Sequence, residues 1–594
     1  MLVPDRSAFF AHARALAAAL LLILAPPAGA DTLRAPDNFP ANTAPRSEDF
    51  ATLRPVLARN GMVATQEARA TRIGVSVLEK GGNAVDAAVA VGFALAVTLP
   101  RAGNLGGGGF MLVHLADRDE TIAIDFREAA PGAITRDVFL DEEGEADPAK
   151  SRDSGLAVGV PGTVAGLAHA HGLYGSGRFT LKELIAPAIA LARGGIPVDD
   201  DLADSLPAAQ RRLARYPSSA KIFLKPDGAP LARGDRLVQS DLAATLEAIS
   251  EHGPRAFYEG PIAERLVAAV RGAGGIMTTD DLARYRARER TPIRGTYRGY
   301  EVRAMPPPSS GGLHLVQILN MLEAYPLREY GAGSAAAAHV MIEAMRRAYA
   351  DRAEFLGDPD LVPVPIAGLT SKAYAAARRA DINLERATPS RIVGAGAPWP
   401  YESDQTTHYS VVDRFGNAVA TTYTLNFSYG LGLVADGTGV LLNNELDDFA
   451  AKPGAPNAYG LTGGDANAPA PFKRPLSSMS PTILLRDGKP VLVTGSPGGS
   501  RIISTVLQVI VNVVDHGMTI AEAVAAPRLH HQWLPDEVRV ERGFSPDTLR
   551  LLEQRGHTIV VAPASGSANS IMVTPHGLTG AADPRQRGTR AAGY

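Results

Sequence analysis

The sequence predicts an α+β fold in which β-sheets pack between layers of helices. Runs rich in β-branched residues occur in pairs around short polar turns, as in β-hairpins. Between these pairs lie long alanine- and valine-rich runs that are apolar nearly all round, as in buried helices. The 594 residues, 45% of them hydrophobic, are sufficient for a large core. Strand pairs that alternate with buried helices favour sheets covered by helical layers.

Residues 1–30 have the pattern of a secretory signal peptide. Arg6 and Arg14 precede an apolar run (15–24) that is too short to span a bilayer, and an Ala-Gly-Ala sequence ends at Ala30. A buried helix is the alternative. We expect cleavage near Ala30 and a periplasmic or secreted protein. The net charge of −3 does not favour nucleic acid or anionic membrane, and the absence of cysteine excludes thiol nucleophiles and disulfides.

The first patterned segment predicts two helices and a hairpin. Alanines at helical spacing follow residue 64, and "GGN" (81–83) is typical of a helix end followed by a new start at Asn83, with Asp86 in the first turn. The second helix, Ala84 to about Val97, is expected to be buried. Next, "FMLVHL" and "TIAIDF" flank the turn "ADRDE", as in a hairpin.

The remainder of the chain divides into a helical part, a connector and a strand-rich part. Residues 159–352 are expected to be mostly helical, with loops at "GVPGTVAGL" and "PPPSSGG". Residues 391–405 have no periodicity and carry Pro398 and Pro400, which predicts an exposed connector that is easily cut. Strand pairs then surround the turns "RFGN" and "RDGK", and an apolar helix follows "GSPGGS".

Thr406 and Thr407 begin the first of these strand pairs. Threonine suits strands because it is β-branched, which is one interpretation. The other is a cut before Thr406, because a free α-amine, with a pKa of about 8, can accept the proton of the threonine hydroxyl. The hairpin register puts Thr406 opposite Leu425, within one step, between Thr424 and Asn426. Their polar side chains can then hydrogen-bond the hydroxyl or a substrate.

Such a nucleophile needs an oxyanion hole and groups that orient the substrate. Gly498 and Gly499 can present N–H groups at the start of the apolar helix, although a tight strand-to-helix turn is the alternative. The acids of "NNELDDFA" (443–450) are either a solvated turn or a site for an ammonium group. Arg127 either pairs with a surface glutamate or binds a carboxylate in bidentate fashion. Ser477 and Ser478 offer adjacent hydroxyls, or a capped loop.

Three other patterns are assigned structural roles. "SSAK" (218–221) matches S-x-x-K, but no K-T-G accompanies it, so we expect a surface loop. His530 and His531 would point to opposite faces of a strand, which argues against a shared metal. His408 follows Thr406 by two residues, but the free amine already supplies a base, so His408 is expected to support the strand.

Taken in order, these segments resemble the γ-glutamyltranspeptidase family of the bacterial periplasmic type. The resemblance extends from about Ala64 to Tyr594. It rests on "QTTHYSVVD", "NNELDDF", "NAYGLTGGDAN", "KRPLSSMSPT" and "GSPGGSRII", with "GGNAVDAAVA", "GNLGGGGF", "DFREAAP" and "GVPGTVAGL" upstream. The family belongs to the N-terminal-nucleophile hydrolases, so the resemblance implies a four-layer αββα sandwich and self-cleavage between Gln405 and Thr406. A large subunit (31–405) and a small catalytic subunit (406–594) would form one intertwined heterodimer.

The resemblance also implies roles for single residues. The catalytic residues would be the nucleophile Thr406, its hydrogen-bonding partner Thr424, and the oxyanion hole of Gly498 and Gly499. Residues that bind the glutamyl group would be Arg127, Ser477 and Ser478 for its α-carboxylate, and Asn426, Glu445 and Asp448 for its α-ammonium. Tyr459 would gate a lid loop. Position 445 is Gln in some relatives and Glu in others.

The implied reaction is cleavage of the γ-glutamyl amide of glutathione or a similar compound. A γ-glutamyl ester on Thr406 would pass its acyl group to water, an amino acid or a dipeptide, without a metal or organic cofactor. Two alternatives remain. A glutaryl or cephalosporin acylase shares the fold and the self-cleavage, but has no need for Asp448 or the lid. An uncut binding protein would use the same pocket without turnover, against which the intact Gln405-Thr406-Thr407 sequence argues.

Overall fold

Two seven-stranded antiparallel sheets form the centre of the fold. The computed structural model describes residues 54–398 and 408–594, so the predicted signal peptide and the predicted cut between Gln405 and Thr406 lie outside the described residues. The strands are β1 (Val56–Ala58), β2 (Met62–Thr65), β3 (Gly108–Leu115), β4 (Glu120–Phe126), β5 (Ile196–Pro197), β6 (Arg236–Leu237), β7 (Arg288–Arg290), β8 (Ile293–Tyr297), β9 (Tyr300–Ala304), β10 (Tyr409–Val412), β11 (Ala418–Thr424), β12 (Val434–Ala435), β13 (Val440–Leu441), β14 (Thr482–Arg486), β15 (Lys489–Thr494), β16 (Leu529–His530), β17 (Val538–Val540), β18 (Ile559–Val561), β19 (Ser570–Thr574), β20 (Gly577–Ala581) and β21 (Arg590–Gly593). Sheet I has the order β1-β20-β19-β15-β14-β9-β8, and sheet II has the order β21-β2-β10-β11-β3-β4-β7.

The helices share two large cores with these sheets. In chain order they are α1 (Ala68–Glu79), α2 (Ala84–Thr98), α3 (Pro148–Asp153), α4 (Thr163–Tyr174), α5 (Leu181–Gly194), α6 (Asp200–Ala214), α7 (Pro217–Phe223), α8 (Ser240–His252), α9 (Arg255–Tyr258), α10 (Pro261–Gly272), α11 (Thr279–Arg284), α12 (Gly311–Leu322), α13 (Leu327–Tyr330), α14 (Ala335–Phe355), α15 (Ile366–Leu369), α16 (Lys372–Arg379), α17 (Ile502–Val514), α18 (Ile520–Ala525) and α19 (Pro546–Gln554). Helices α1, α2, α4 and α5 share one core with one face of sheet II. Helices α12, α14 and α17 share the other core with sheet I and the opposite face of sheet II. Among the described residues, no helix is both long enough and apolar enough to cross a membrane.

Sheet II is buried on both faces, and successive residues of its strands belong alternately to the two large cores. In β2, Met62 and Ala64 belong to the core shared with sheet I, whereas Val63 belongs to the core shared with α1 and α2. Successive side chains of a strand point to opposite faces, so a strand that is apolar throughout is covered on both. This burial explains why "FMLVHL" is an uninterrupted apolar run.

The predicted helix after "GGN" is confirmed. Asn83 is the N-cap of α2, its side chain accepts from the backbone N–H of Val85 and Asp86, and Asp86 bonds back to the N–H of Asn83. This capping box satisfies N–H groups that the first turn leaves without partners. Every residue of α2 is buried, as its apolar sequence predicts.

The predicted hairpins are also confirmed. Strands β3 and β4 pair around "ADRDE", and β14 and β15 pair around "RDGK", where Asp487 and Gly488 have φ of 52° and 72°. In the β10–β11 hairpin Tyr409 faces Thr421, one residue from the predicted register and within its stated tolerance. Local turn chemistry therefore identified these pairs correctly.

Three expectations need correction. The loop expected at "GVPGTVAGL" (159–167) ends at Gly162, because α4 begins at Thr163. "SSAK" (218–221) is not a surface loop: it lies in α7, where Ser219 is buried and accepts a hydrogen bond from the Val434 N–H. The helical part of the chain also contains β7, β8 and β9, which extend the two sheets. His530 and His531 are buried and contact Ser504 and Asp536, respectively, which agrees with a structural role.

Candidate active site

A cavity of about 520 Å³ brings together most of the predicted site residues. Its lining includes Thr424, Asn426, Glu445, Asp448, Tyr459, Ser477, Ser478, Gly498 and Gly499. Arg127 does not line the cavity but contacts two residues that do. Gln405 and Thr406 lie outside the described residues, and the description resumes at His408, which lines the same cavity.

The end of the β10–β11 hairpin forms one wall. Thr424 is the last residue of β11, and its hydroxyl accepts from the backbone N–H of Asn426 at 2.9 Å. Asn426 has a φ of 72°, a left-handed conformation that asparagine tolerates better than most residues. This turn lets the Asn426 side chain donate to the Asn444 carbonyl at 2.9 Å. The hairpin end is thereby joined to the acidic turn.

The acidic turn is a short 3₁₀-helix, Glu445–Asp448, that is held by the asparagine before it. The amide of the buried Asn443 donates to the carbonyls of Gly106 and Gly159, each at 2.8 Å. Two glycine-rich motifs that are far apart in sequence therefore hold this turn. The solvated-turn alternative is excluded, because Glu445 is 1% exposed.

The three acids of this turn do not act together. Asp447 points away from the cavity, where it accepts from the Ser151 hydroxyl at 2.7 Å and from Arg152 at 3.0 Å. Glu445 and Asp448 both face Arg127. Only these two acids are therefore positioned to meet a cationic group in the cavity.

Arg127 is fully buried beneath the cavity, and all three of its guanidinium nitrogens have partners. Nη1 donates to Glu445 at 2.5 Å, Nη2 donates to Asp448 at 2.6 Å, and Nε donates to the Pro475 carbonyl at 3.2 Å. Burial lowers the pKa of Arg127, but the adjacent carboxylates outweigh burial and raise it overall. The arginine thus holds the acidic turn against the segment that precedes Ser477.

Glu128 is the unexpected member of this cluster. Its side chain is fully buried, neither carboxyl oxygen has a hydrogen-bond partner among the described residues, and the Arg127 Nη1 is 3.7 Å away. Burial raises the pKa of Glu128 to about 7, although Arg127 acts in the opposite direction. Burial likewise raises the pKa of Glu445 and of Asp448. Three carboxyl groups therefore share one guanidinium, and the cluster favours an additional positive charge.

The opposite wall is formed by the glycine turn and Tyr459. Gly498 and Gly499 have φ of 139° and 57°, and neither backbone N–H donates to any part of the chain that the structure describes. A side chain at Gly499 would collide with the Tyr459 ring, 2.5 Å from the added carbon. The Tyr459 hydroxyl donates to the Asn426 carbonyl at 2.9 Å. The backbone N–H groups of Gly498 and Gly499, without an acceptor among the described residues, thus belong to the lining of a cavity that the Tyr459 ring partly covers.

Ser477 and Ser478 are buried at the base of the cavity. The Ser477 N–H donates to the Pro308 carbonyl at 3.2 Å, and Arg352 approaches the Ser478 hydroxyl at 3.4 Å. His408 is buried, and its Nε2 lies 2.5 Å from the Ser410 hydroxyl within β10. Burial lowers the pKa of His408 to about 3, so the ring is neutral at ordinary pH and acts as a hydrogen-bonding support.

Sequence reasoning missed Glu128, Asn443 and the cavity residue Arg212. Glu128 stands beside Arg127 in "DFREAAP", and Asn443 begins "NNELDDF", so both were inside motifs that had been recognised. The hydrogen bonds of Asn443 join segments that are 337 and 284 residues apart, which no local pattern reveals. Arg212 lies in a helix that carried no signal of function.

Comparison with known proteins identifies the family. The family described as gamma-glutamyltranspeptidase matches residues 70–593. The glutathione hydrolase proenzyme of Escherichia coli (strain K12) is 58% identical over 542 residues, which cover 91% of this chain and 93% of that relative. Among solved structures, cephalosporin acylase from Bacillus halodurans has a TM-score of 0.80 at 29% identity, covering 94% of this chain and 99% of the acylase. Helicobacter pylori gamma-glutamyltranspeptidase has a TM-score of 0.56 at 45% identity, covering 58% of this chain and 97% of that chain. The chain therefore belongs to the γ-glutamyltranspeptidase family.

Proposed function

We propose that this protein is a self-processing γ-glutamyltransferase and glutathione hydrolase. The observation that supports the proposal is a single cavity that brings three features together. It is lined by two acids that can bind an ammonium group, by two backbone N–H groups without an acceptor among the described residues, and by the end of the β10–β11 hairpin. The 58% identity with a glutathione hydrolase proenzyme supports the same activity. Cleavage between Gln405 and Thr406 would give the Thr406 hydroxyl an adjacent α-amine, which is the base that a threonine nucleophile needs.

The reaction follows from these positions. The α-amine of Thr406 takes the hydroxyl proton as Oγ attacks the γ-amide carbonyl, and the N–H groups of Gly498 and Gly499 stabilise the oxyanion. The C–N bond then breaks, the amine leaves with that proton, and a γ-glutamyl ester remains on Thr406. Water, an amino acid or a dipeptide attacks the ester and restores the hydroxyl. Thr424 supports the nucleophile from the neighbouring strand, and no cofactor takes part.

The glutamyl group is oriented by the cluster around Arg127. Glu445, Asp448 and Asn426 bind its α-ammonium, because the buried acids outnumber the single guanidinium. Ser477 and Ser478 bind its α-carboxylate, which the positive charge of Arg127 attracts from beneath the cavity. Because Arg127 bonds both acids, it also holds the ammonium site in shape.

We further propose the organisation of the mature protein. The signal peptide (1–30) is removed on export to the periplasm or the exterior, and the cut yields a large subunit (31–405) and a small subunit (406–594). The two remain one heterodimer within a four-layer αββα sandwich. In support, β2, β3 and β4 pair in one sheet with β10, β11 and β21, which follow the junction.

Cephalosporin acylase is the second candidate, because the acylase from Bacillus halodurans has a TM-score of 0.80 against this chain. A glutaryl group lacks the α-ammonium, so an acylase of that specificity has no use for paired acids in its pocket. Here Glu445 and Asp448 form a buried pair on Arg127, and Asn457 from the lid segment contacts Asp448 at 3.3 Å. The γ-glutamyl donor is therefore favoured.

Arylamine release from a γ-glutamyl anilide and from a glutaryl anilide separates these functions. The mature protein is assayed with each donor, with and without a dipeptide acceptor, beside Asp448→Asn. We expect a strong preference for the γ-glutamyl donor, stimulation by the dipeptide, and a reduced preference in Asp448→Asn. A glutaryl preference would assign the protein as an acylase. An uncut chain that turns over neither donor would make it a binding protein.

A further inference from the structure

The cavity contains a second charged feature at some distance from the acids, the guanidinium of Arg212. This residue lies in the last turn of α6 and lines the cavity. Its Nη2 donates to the Ser428 carbonyl at 2.8 Å, and its guanidinium carbon lies 5.6 Å from the centre of the Phe427 ring. A backbone carbonyl and an aromatic face therefore hold the cation in position.

Arg212 forms no ion pair in the described part of the chain. Its acidic neighbour Asp153 pairs with Arg215 at 3.6 Å instead, and burial lowers the pKa of Arg212 although Asp153 acts in the opposite direction. Arg101 lines the same cavity but is neutralised, because it donates to both oxygens of Asp201, at 2.6 and 2.9 Å. A half-buried guanidinium without a counter-ion is suited to binding an anionic ligand group.

A short segment of the cavity lining joins Arg212 to the acidic turn. Three consecutive residues, Asn426, Phe427 and Ser428, connect the two features: Asn426 bonds Asn444 beside Glu445, and Ser428 bonds Arg212. All three residues and Arg212 line the same cavity as Glu445 and Asp448. A peptide donor whose α-ammonium lies at the acidic turn can therefore extend along this lining towards Arg212.

We propose that Arg212 binds the C-terminal carboxylate of the peptide attached to the γ-glutamyl group, and of a dipeptide that later accepts that group. The inference rests on the proposed function and adds a specificity determinant to it. The cavity then recognises both ends of a peptide donor, with the acidic turn on the ammonium and Arg212 on the far carboxylate. Arg212 touches neither the reacting carbonyl nor the nucleophile in this scheme, so it selects substrates and takes no part in bond breaking.

Arg501 is the rival for this role. It also lines the cavity, and no carboxylate of the described residues lies within 4.0 Å of it. It directly follows the Gly498–Ser500 turn, and no described aromatic ring or carbonyl holds its guanidinium, in contrast to Arg212. We therefore assign the carboxylate to Arg212 and include Arg501 in the test.

The test measures kcat/KM for glutamate release from two donors. One is glutathione, and the other is glutathione whose glycyl carboxyl is blocked as an ethyl ester. We expect the wild-type protein to prefer the acid by about five-fold, the size of a partly exposed charge pair. The ratio should fall to near one in Arg212→Gln and keep an intermediate value in Arg212→Lys. Arg211→Gln is the matched control, because Arg211 lies beside Arg212 in the last turn of α6, is exposed and does not line the cavity.

Each outcome decides the assignment. A wild-type protein that does not distinguish acid from ester overturns the proposal, even if no variant folds. The same conclusion follows if Arg212→Gln keeps the full ratio, or if Arg501→Gln removes it instead. A wild-type protein that fails on the γ-glutamyl anilide as well would refute the proposed function, which is a separate result.

Discussion

Glu128 sets the charge of the ammonium site together with Glu445 and Asp448, because burial raises the pKa of all three carboxyls. It is buried against glycines: a side chain at Gly108 would lie 2.7 Å from its carboxyl oxygen, and one at Gly159 would lie 2.8 Å from its Cβ. Arg127, Glu445, Asp448 and Tyr285 are the titratable groups around it. Because burial raises the pKa of Glu128 to about 7, the cluster holds an extra proton below that pH.

We predict that an ammonium-bearing ligand expels this proton. The positive charge favours the ionised carboxyl, so a proton is released on binding between the ordinary pKa of 4.5 and about 7, and affinity falls as pH falls below 7. Calorimetry of L-glutamate binding near pH 6, in buffers of different ionisation heat, measures the release. Glu128→Gln should reduce it, because one of the coupled carboxyls is removed, and glutarate, which lacks the ammonium, should not cause it. Equal release by wild type and Glu128→Gln would refute this role.

For single residues, the sequence predicted which of them line the cavity, but not which of them form ion pairs. The hairpin register and the motif order brought Thr424, Asn426, Glu445 and Asp448 to one cavity, as observed. Neither indicated that Arg127 would be buried beneath it, bonded to both acids. The acidic turn is held in place because Asn443 donates to the carbonyls of Gly106 and Gly159, which are far from Asn443 in the sequence.

At the scale of elements, the segment 456–467 covers the cavity through a few defined contacts. Asn457 accepts from the N–H groups of Tyr459 and Leu461 and donates to Asp448, so the segment is attached to the acidic turn. The Tyr459 hydroxyl attaches it to the hairpin end at Asn426, and the Tyr459 ring meets the Phe427 ring edge-on at 6.2 Å. The segment is thus attached both to the acidic turn and to the hairpin end that line the cavity.

We predict that Tyr459→Phe raises KM for a γ-glutamyl anilide by about five-fold, which corresponds to one hydrogen bond of roughly 1 kcal/mol. Tyr459→Ala also removes the ring over Gly499 and should raise KM further. Steady-state kinetics of both variants provide the measurement, with Tyr300→Phe, remote from the cavity lining, as the control. Unchanged KM in both variants would show that the segment does not retain the substrate.

Elements with local signals were predictable, and those that depend on partners were not. The α2 helix carries its own cap at Asn83, and the "RDGK" turn carries its own left-handed residues. Strands β1 and β7 have three residues each and lie at sheet edges, where pairing with distant strands defines them. Strands of three residues are too short to show a period-two pattern in the sequence.

At the scale of the whole molecule, both sheets combine strands from the two sides of the predicted cut. Sheet I joins β1, β8 and β9 to β14, β15, β19 and β20, and sheet II is similarly mixed. The large cores contain residues from both sides as well. Separation of the two chains would therefore break strand pairs and expose core, a cost comparable to unfolding.

We predict that the cut protein remains one particle. Size-exclusion chromatography in about 1 M salt, which screens surface charge pairs, should still elute both chains together. Urea should separate them only in the concentration range where circular dichroism reports unfolding. Dissociation of folded chains on simple dilution would contradict the shared sheets.

We predict that Thr406 becomes the N-terminal nucleophile of the mature protein. Mass spectrometry of the small chain, acid-quenched before and after mixing with glutathione, tests it most directly. We expect a chain that begins at Thr406 and gains the mass of one glutamyl group on that residue, while Thr406→Ala stays uncut. A small chain that begins elsewhere, or glutamate release with the glutamyl group on another residue, would contradict it.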